Sequence, residues 1–172
     1  RIAPTFTVKV KREQWELLFG TLEGNLGHGY IEPLYDFERL ITNHLENGIQ
    51  YKLSTPRLQL DAWVDWVNMI YVGDDELEQI NGGTTAAILL LGQEGKGNLK
   101  DSLRLTLPLQ FTAQHKGGQI DASDLPLTTL ANAAVGLELE KLYSRRFLHR
   151  LYTKNYLVGY KDFSNELQLP YE

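Results

Sequence analysis

A chain of 172 residues with 17 Lys and Arg against 22 Asp and Glu has a formal charge of −5. That length suits one domain, large enough to bury a core without a disulfide or metal staple. With 42% apolar and 23% charged residues, the composition excludes disordered and fibrous classes, and the absence of cysteine excludes thiol catalysis and iron–sulfur clusters.

Residues 5–11, Thr-Phe-Thr-Val-Lys-Val-Lys, place Phe6, Val8 and Val10 at every second position, the period of a strand with one apolar face. Trp15, Leu18, Phe19 and Leu22 then follow helical spacing, predicting a helix over 12–23. The glycines at 24, 27 and 29 break it, since glycine loses too much entropy in a helix. Pro33 suits a helix start, and Leu34, Phe37, Ile41, His44 and Leu45 predict a second helix over 33–47, ended by Gly48. Ile49, Tyr51 and Leu53 alternate as a short strand.

Residues 55–72 fit two templates. A helix from Pro56 would carry Arg57, Asp61, Asp65 and Asn68 as a polar stripe; a strand would put Leu58, Leu60, Ala62, Val64 and Trp66 on one face. Length and the Thr-Pro start favour the helix. Asp74-Asp75-Glu76 reads as an acidic turn, and Thr84–Leu91 as a continuous apolar strand. Over 102–112, Leu103, Leu105, Leu107, Leu109 and Phe111 alternate with polar residues and Pro108. Proline donates no ladder bond, so this strand is expected at an edge, or with residue 108 on a free side. The last two strands are expected to pair as a hairpin through the loop 92–101. Beyond Gly117-Gly118, Leu130, Ala133, Leu137, Phe147, Leu148 and Leu151 predict a helix over 128–152, with 153–172 a docked C-terminal arm. The expected fold is therefore α+β: a single compact domain over 1–172, with a small, mostly antiparallel sheet packed on three or more helices.

Catalytic templates fit poorly. The glycine loop from Gly92 to Asn98 lacks P-loop spacing and its Ser/Thr. The loop from Gly24 to Gly29, which contains His28, reads as an interhelical connection. His28, His44, His115 and His149 are scattered, with no metal-ligand spacing. Neither a metal nor another cofactor is implied, and no catalytic residue is assigned. One enzyme reading survives: Asp61 and Asp65 share a face whether helix or strand, flanked by Trp63 and Trp66, as a hydrolase-like acid–base pair would. A solvated stripe with Arg57 as ion-pair partner explains them as well.

Charge segregation is the most informative feature. Between positions 141 and 161 lie Lys141, Arg145, Arg146, Arg150, Lys154 and Lys161 without an acid, a window of +6 that leaves −11 for the remainder. Tyr143, Phe147, Tyr152, Tyr156 and Tyr160 interleave. The leading expectation is a non-catalytic interaction or assembly protein, an adaptor or oligomeric subunit. It would use Lys141, Tyr143, Arg145, Arg146, His149, Arg150, Tyr152, Lys154 and Tyr156 against an acidic protein partner or a second copy. The alternative is a nucleic-acid-binding protein using the same residues, cations on phosphates and tyrosines on bases. The longest uncharged apolar run, Thr84 to Gly92, is too short for a membrane helix. The chain opens on Arg1-Ile2-Ala3-Pro4 without an apolar leader, so a signal peptide is expected to be absent or removed. No membrane contact and a cytoplasmic location are expected, in keeping with the missing cysteines.

Overall fold

The computed structural model describes residues 5–23, 27–34, 38, 45–92, 102–117, 126–143 and 147–164. It is an all-antiparallel meander of eight strands: β1 (Thr7–Lys11), β2 (Trp15–Thr21), β3 (Asn47–Ser54), β4 (Leu58–Asn68), β5 (Gln79–Leu91), β6 (Leu103–Lys116), β7 (Thr128–Leu142) and β8 (Arg150–Asp162). Each strand pairs with the next, so spatial order equals chain order. One 3₁₀ turn, Glu32–Leu34, is the only helical element among the described residues.

The α+β expectation is thereby corrected. The helix predicted over 12–23 is a hairpin turn and β2. The one over 128–152 is β7 and the start of β8, with 144–146 outside the described residues, and the doubtful 55–72 is mostly β4. Of the helix predicted over 33–47, Pro33 and Leu34 lie in the 3₁₀ turn and Asn47 opens β3, while 35–37 and 39–44 lie outside the described residues. In each wrong case a few apolar residues match helical spacing, but the paired strands present their side chains at period two. Trp15, Leu17 and Phe19 share one face of β2, and Val135, Leu137 and Leu139 one face of β7. The strands expected at 5–11, 49–53, 84–91 and 102–112 fall within β1, β3, β5 and β6 almost entirely, and β5 and β6 form the expected hairpin. However, β6 lies inside the sheet rather than at its edge. Its ladder to β7 omits Leu107 and Pro108, which accommodates the missing N–H there. Of the expected arm, 153–162 is β8 and 165–172 lies outside the described residues.

The register sorts the side chains into two opposite faces. One carries Phe19, Ile49, Leu60, Val64, Ile88, Leu107, Leu109, Phe111, Val135, Leu137, Leu139, Leu151 and Leu157. On strands its only formal charges are Lys141 and Lys161, each next to a strand end. The other face carries every strand Asp, Glu and Arg: Glu16, Asp61, Asp65, Arg104, Glu138, Glu140, Arg150 and Asp162.

Burial runs opposite to that of a water-soluble sheet. Gln50, Asp65, Asn81, Thr106 and Gln110 on the polar face are buried, whereas Phe19, Val135, Leu137 and Leu157 on the apolar face are 54%, 42%, 46% and 75% exposed. One cavity is lined by Lys11, Glu16, Lys52, Asp61, Thr85, Gln110, Glu138 and Tyr156, one residue from each strand. The sheet therefore curls with its polar face inward. Gly48 permits this packing at one crossing, because a Cβ there would stand 1.9 Å from the Val64 carbonyl oxygen.

Candidate functional site

The inner face is organised by the segment 27–34, part of the connection between β2 and β3, which lies across β4, β5 and β6. Thr85 donates its hydroxyl to the His28 carbonyl at 2.8 Å. Gln110 accepts from the Ile31 N–H at 2.9 Å and donates to the Gly29 carbonyl at 3.2 Å. Tyr30 donates its hydroxyl to the Phe111 carbonyl at 2.9 Å and accepts from the Trp63 indole N–H at 3.1 Å. Gly83 lies directly beneath, since a Cβ at this position would come within 2.2 Å of the Tyr30 hydroxyl.

His28 is the centre of this arrangement. It is 5% exposed, takes a left-handed backbone conformation with φ of 45°, and stacks on Trp63 with ring centroids 4.4 Å apart. Its Nε2 lies 2.6 Å from a Glu46 carboxylate oxygen and its Nδ1 lies 3.3 Å from Asp61. A protonated ring donates from both nitrogens, one to each carboxylate. Burial opposes that charge, but the hydrogen bonds and charges of Asp61 and Glu46 outweigh it and hold the pKa above the usual imidazole value. With a carboxylate at each ring nitrogen, His28 ties residue 28 to Glu46 and Asp61 and so braces the segment. Gln50 fixes the second acid, donating to both oxygens of Asp61 at 2.8 and 3.0 Å while accepting from the Glu23 N–H at 3.0 Å.

Beside this cluster lies the cavity, about 890 Å³, with Lys11, Arg12, Lys52 and Lys154 interspersed among Glu16, Asp61 and Glu138. Lys11 pairs with Glu16, Lys154 with Glu138 at 3.1 Å, and Lys52 donates to the Glu23 carbonyl. The space is polar and of a size that suits a small ligand. Among the described residues no group of three or more His, Asp or Glu side chains is placed to hold a metal ion.

The basic-aromatic residues singled out by sequence are distributed by strand period. Arg150, Tyr152, Lys154 and Tyr156 alternate along the inner face of β8. There Arg150 pairs with Glu140 and lies over the Tyr152 ring at 5.0 Å. Glu138 receives the Tyr156 hydroxyl at 2.6 Å as well as Lys154. Lys141 is on the outer face with its ammonium 5.9 Å from the Tyr143 ring centroid, and His149 is exposed in the turn before β8. Arg145 and Arg146 lie outside the described residues. The continuous cationic helix face required by the adaptor and nucleic-acid readings does not form, because the segment expected to be helical contains two strands. Asp61 lines the cavity, whereas Asp65 is 1% exposed and accepts the Asn47 N–H at 2.7 Å, so the pair does not converge on one open site. Sequence reasoning missed Glu46, Gln50, Tyr30 and Gln110 as site residues, and treated His28 as part of a loose connection. The available signal was polar Gln50, Asp61 and Gln110 placed between apolar neighbours at period two.

Fold and site together define a class: a curled, up-and-down antiparallel sheet with an inward polar cavity and an outward apolar surface. The family model for lipid A 3′-O-deacylase-type proteins matches residues 1–172, and the chain belongs to that family. Neither the curated proteins nor the solved structures offer a match. A deacylase-type family overturns the expectation of a non-catalytic adaptor or oligomeric subunit, and nothing in it favours nucleic-acid binding. No helix among the described residues is long and apolar enough to cross a membrane, a finding that does not bear on crossing by strands.

Proposed function

We propose that this chain forms a β-wall embedded in a bacterial outer membrane and takes part in hydrolysing an ester-linked acyl chain of a lipid A-type glycolipid. The observation that carries the reading is the reversed polarity of the sheet, apolar side chains exposed and Asp65, Gln50 and Gln110 buried. Water disfavours such a surface, whereas a lipid environment matches it. Strands β4 to β8 contain 11 to 15 residues, sufficient for the roughly 9–11 that a tilted strand needs to cross the hydrocarbon layer. Family membership supplies the ester and the lipid class. A membrane location replaces the cytoplasmic one expected earlier.

The connections divide by end. Residues 12–14, 55–57, 92–102 and 143–149 join strands at one end and average about six residues, while 22–46, 69–78 and 117–127 join them at the other and average about fifteen. Outer-membrane barrels place short turns on the periplasmic side and longer loops outside, so the His28 segment belongs to the outer side. An amphiphile whose headgroup occupies the polar cavity keeps its acyl chains against the apolar exterior. Hydrolysis adds water across the ester, leaving a sugar hydroxyl and a free fatty acid.

The test is mass spectrometry of lipid A incubated with the purified protein in detergent micelles. The expected product lacks one 3′-O-linked acyl chain. Unchanged lipid A, from protein shown to be folded in the same micelles, would overturn the proposal.

A further inference from the structure

The main cavity adjoins a second, smaller one of about 180 Å³, and Ala87, Glu138 and Lys154 line both. Arg104, Arg150 and Thr106 are also part of the smaller wall. Arg104 points inward from β6 opposite Glu140 of β7, the register position where an ion pair would be expected. Glu140 instead binds Arg150 from β8. The Arg104 Nε is shielded from solvent and has no hydrogen-bond partner among the described residues.

A buried guanidinium donor left unsatisfied costs stability unless an acceptor reaches it. The nearby acids are already committed: Glu138 to Lys154 and Tyr156, and Glu140 to Arg150. The three cations Arg104, Arg150 and Lys154 outnumber these two carboxylates in the small cavity. A guanidinium presents a planar fork of donors that fits tetrahedral and planar oxyanions.

We propose that Arg104 is the anchor of an oxyanion subsite, for a phosphate group, next to the main cavity and flanked by Arg150 and Lys154. Two sources share this chemistry, the phosphomonoester of a lipid headgroup and free inorganic phosphate. Either could enter through the wall that the cavities share.

The experiment is calorimetric titration of the purified protein in zwitterionic micelles at low ionic strength, first with inorganic phosphate and then with micelles doped with phosphatidic acid. Arg104→Gln is expected to weaken phosphate binding by about tenfold or more, the scale of a lost charge-assisted hydrogen bond. Arg104→Lys should lose less, since it keeps the charge but not the fork. Glu140→Gln should tighten binding by releasing Arg150, a gain that misfolding does not produce. Binding of both ligands identifies a headgroup site, and binding of phosphate alone a free-anion site; both uphold the subsite. Wild-type protein that binds neither, or Arg104→Gln that binds phosphate as wild type does, overturns it. No ester turnover enters this measurement, so its failure and that of the deacylation assay are distinguishable.

Discussion

Replacing Val135 by Arg puts the reversed polarity of the sheet to a direct test. Val135 lies at the middle of β7, faces outward with Leu109 and Leu157 as register partners, and is 42% exposed. On a water-facing surface the exchange would change stability by no more than about 0.5 kcal/mol, because the site is already open. On a lipid-facing surface near the bilayer centre, Arg costs about 2–4 kcal/mol. That difference lowers the folded-to-unfolded ratio roughly 30- to 1,000-fold. The assay is urea titration of the protein folded into phosphatidylcholine vesicles, followed by tryptophan fluorescence, with Val135→Leu as control. Lys161→Arg at the strand end serves as a second control and should be near neutral. A Val135→Arg cost below about 0.5 kcal/mol in vesicles would refute the lipid-facing assignment.

Three further outcomes follow from the inner face. His28 has a folded-state pKa above its unfolded value, so its contribution is complete below about pH 6.5 and is lost as pH rises through the folded value. Across that interval stability should fall by up to about 1.4 kcal/mol per pH unit, and the slope should vanish in His28→Phe; a slope equal to wild type would refute the clamp. Gly83→Ala should push the Tyr30 hydroxyl from its place between Phe111 and Trp63, costing about 1–3 kcal/mol. Limited proteolysis within 22–46 should quicken in that variant, and an unchanged rate would contradict the packing. Gln50→Leu removes two donors from Asp61 and the acceptor of the Glu23 N–H, with an expected loss of about 1–3 kcal/mol by the same urea titration. A neutral result would mean that Asp61 does not depend on Gln50.

The strands best read from sequence were those in which the alternation was clean. Over Leu103 to Phe111 every second residue is large and apolar, and β6 formed there. β7 was misread because Leu130-Ala-Asn-Ala-Ala-Val-Gly contains small residues that suit either template. Leu130, Ala133 and Leu137 could then be joined at helical spacing. Gly48 seemed a helix stop, but its lack of a side chain serves the close approach of β3 to Val64 on β4. His28 was not legible as a clamp, since its acids come from positions 46 and 61, brought together only by the crossing of 27–34 over the sheet. The charge window at 141–161 was real as composition. Its meaning changed once Glu138 and Glu140 were found paired with Lys154 and Arg150.

By itself, the sequence determined the absence of thiol chemistry, the alternating strands at β1, β3 and β6, the β5–β6 hairpin and the uneven distribution of charge. These properties depend on residue type and on neighbours one or two positions apart. Tertiary structure decided which side of each strand faces the interior. Period two separates a polar from an apolar face but assigns neither to the inside, and familiarity with water-soluble proteins assigns the apolar one. Only the curling of eight paired strands around a common cavity shows that the polar face was enclosed and the apolar face left outside.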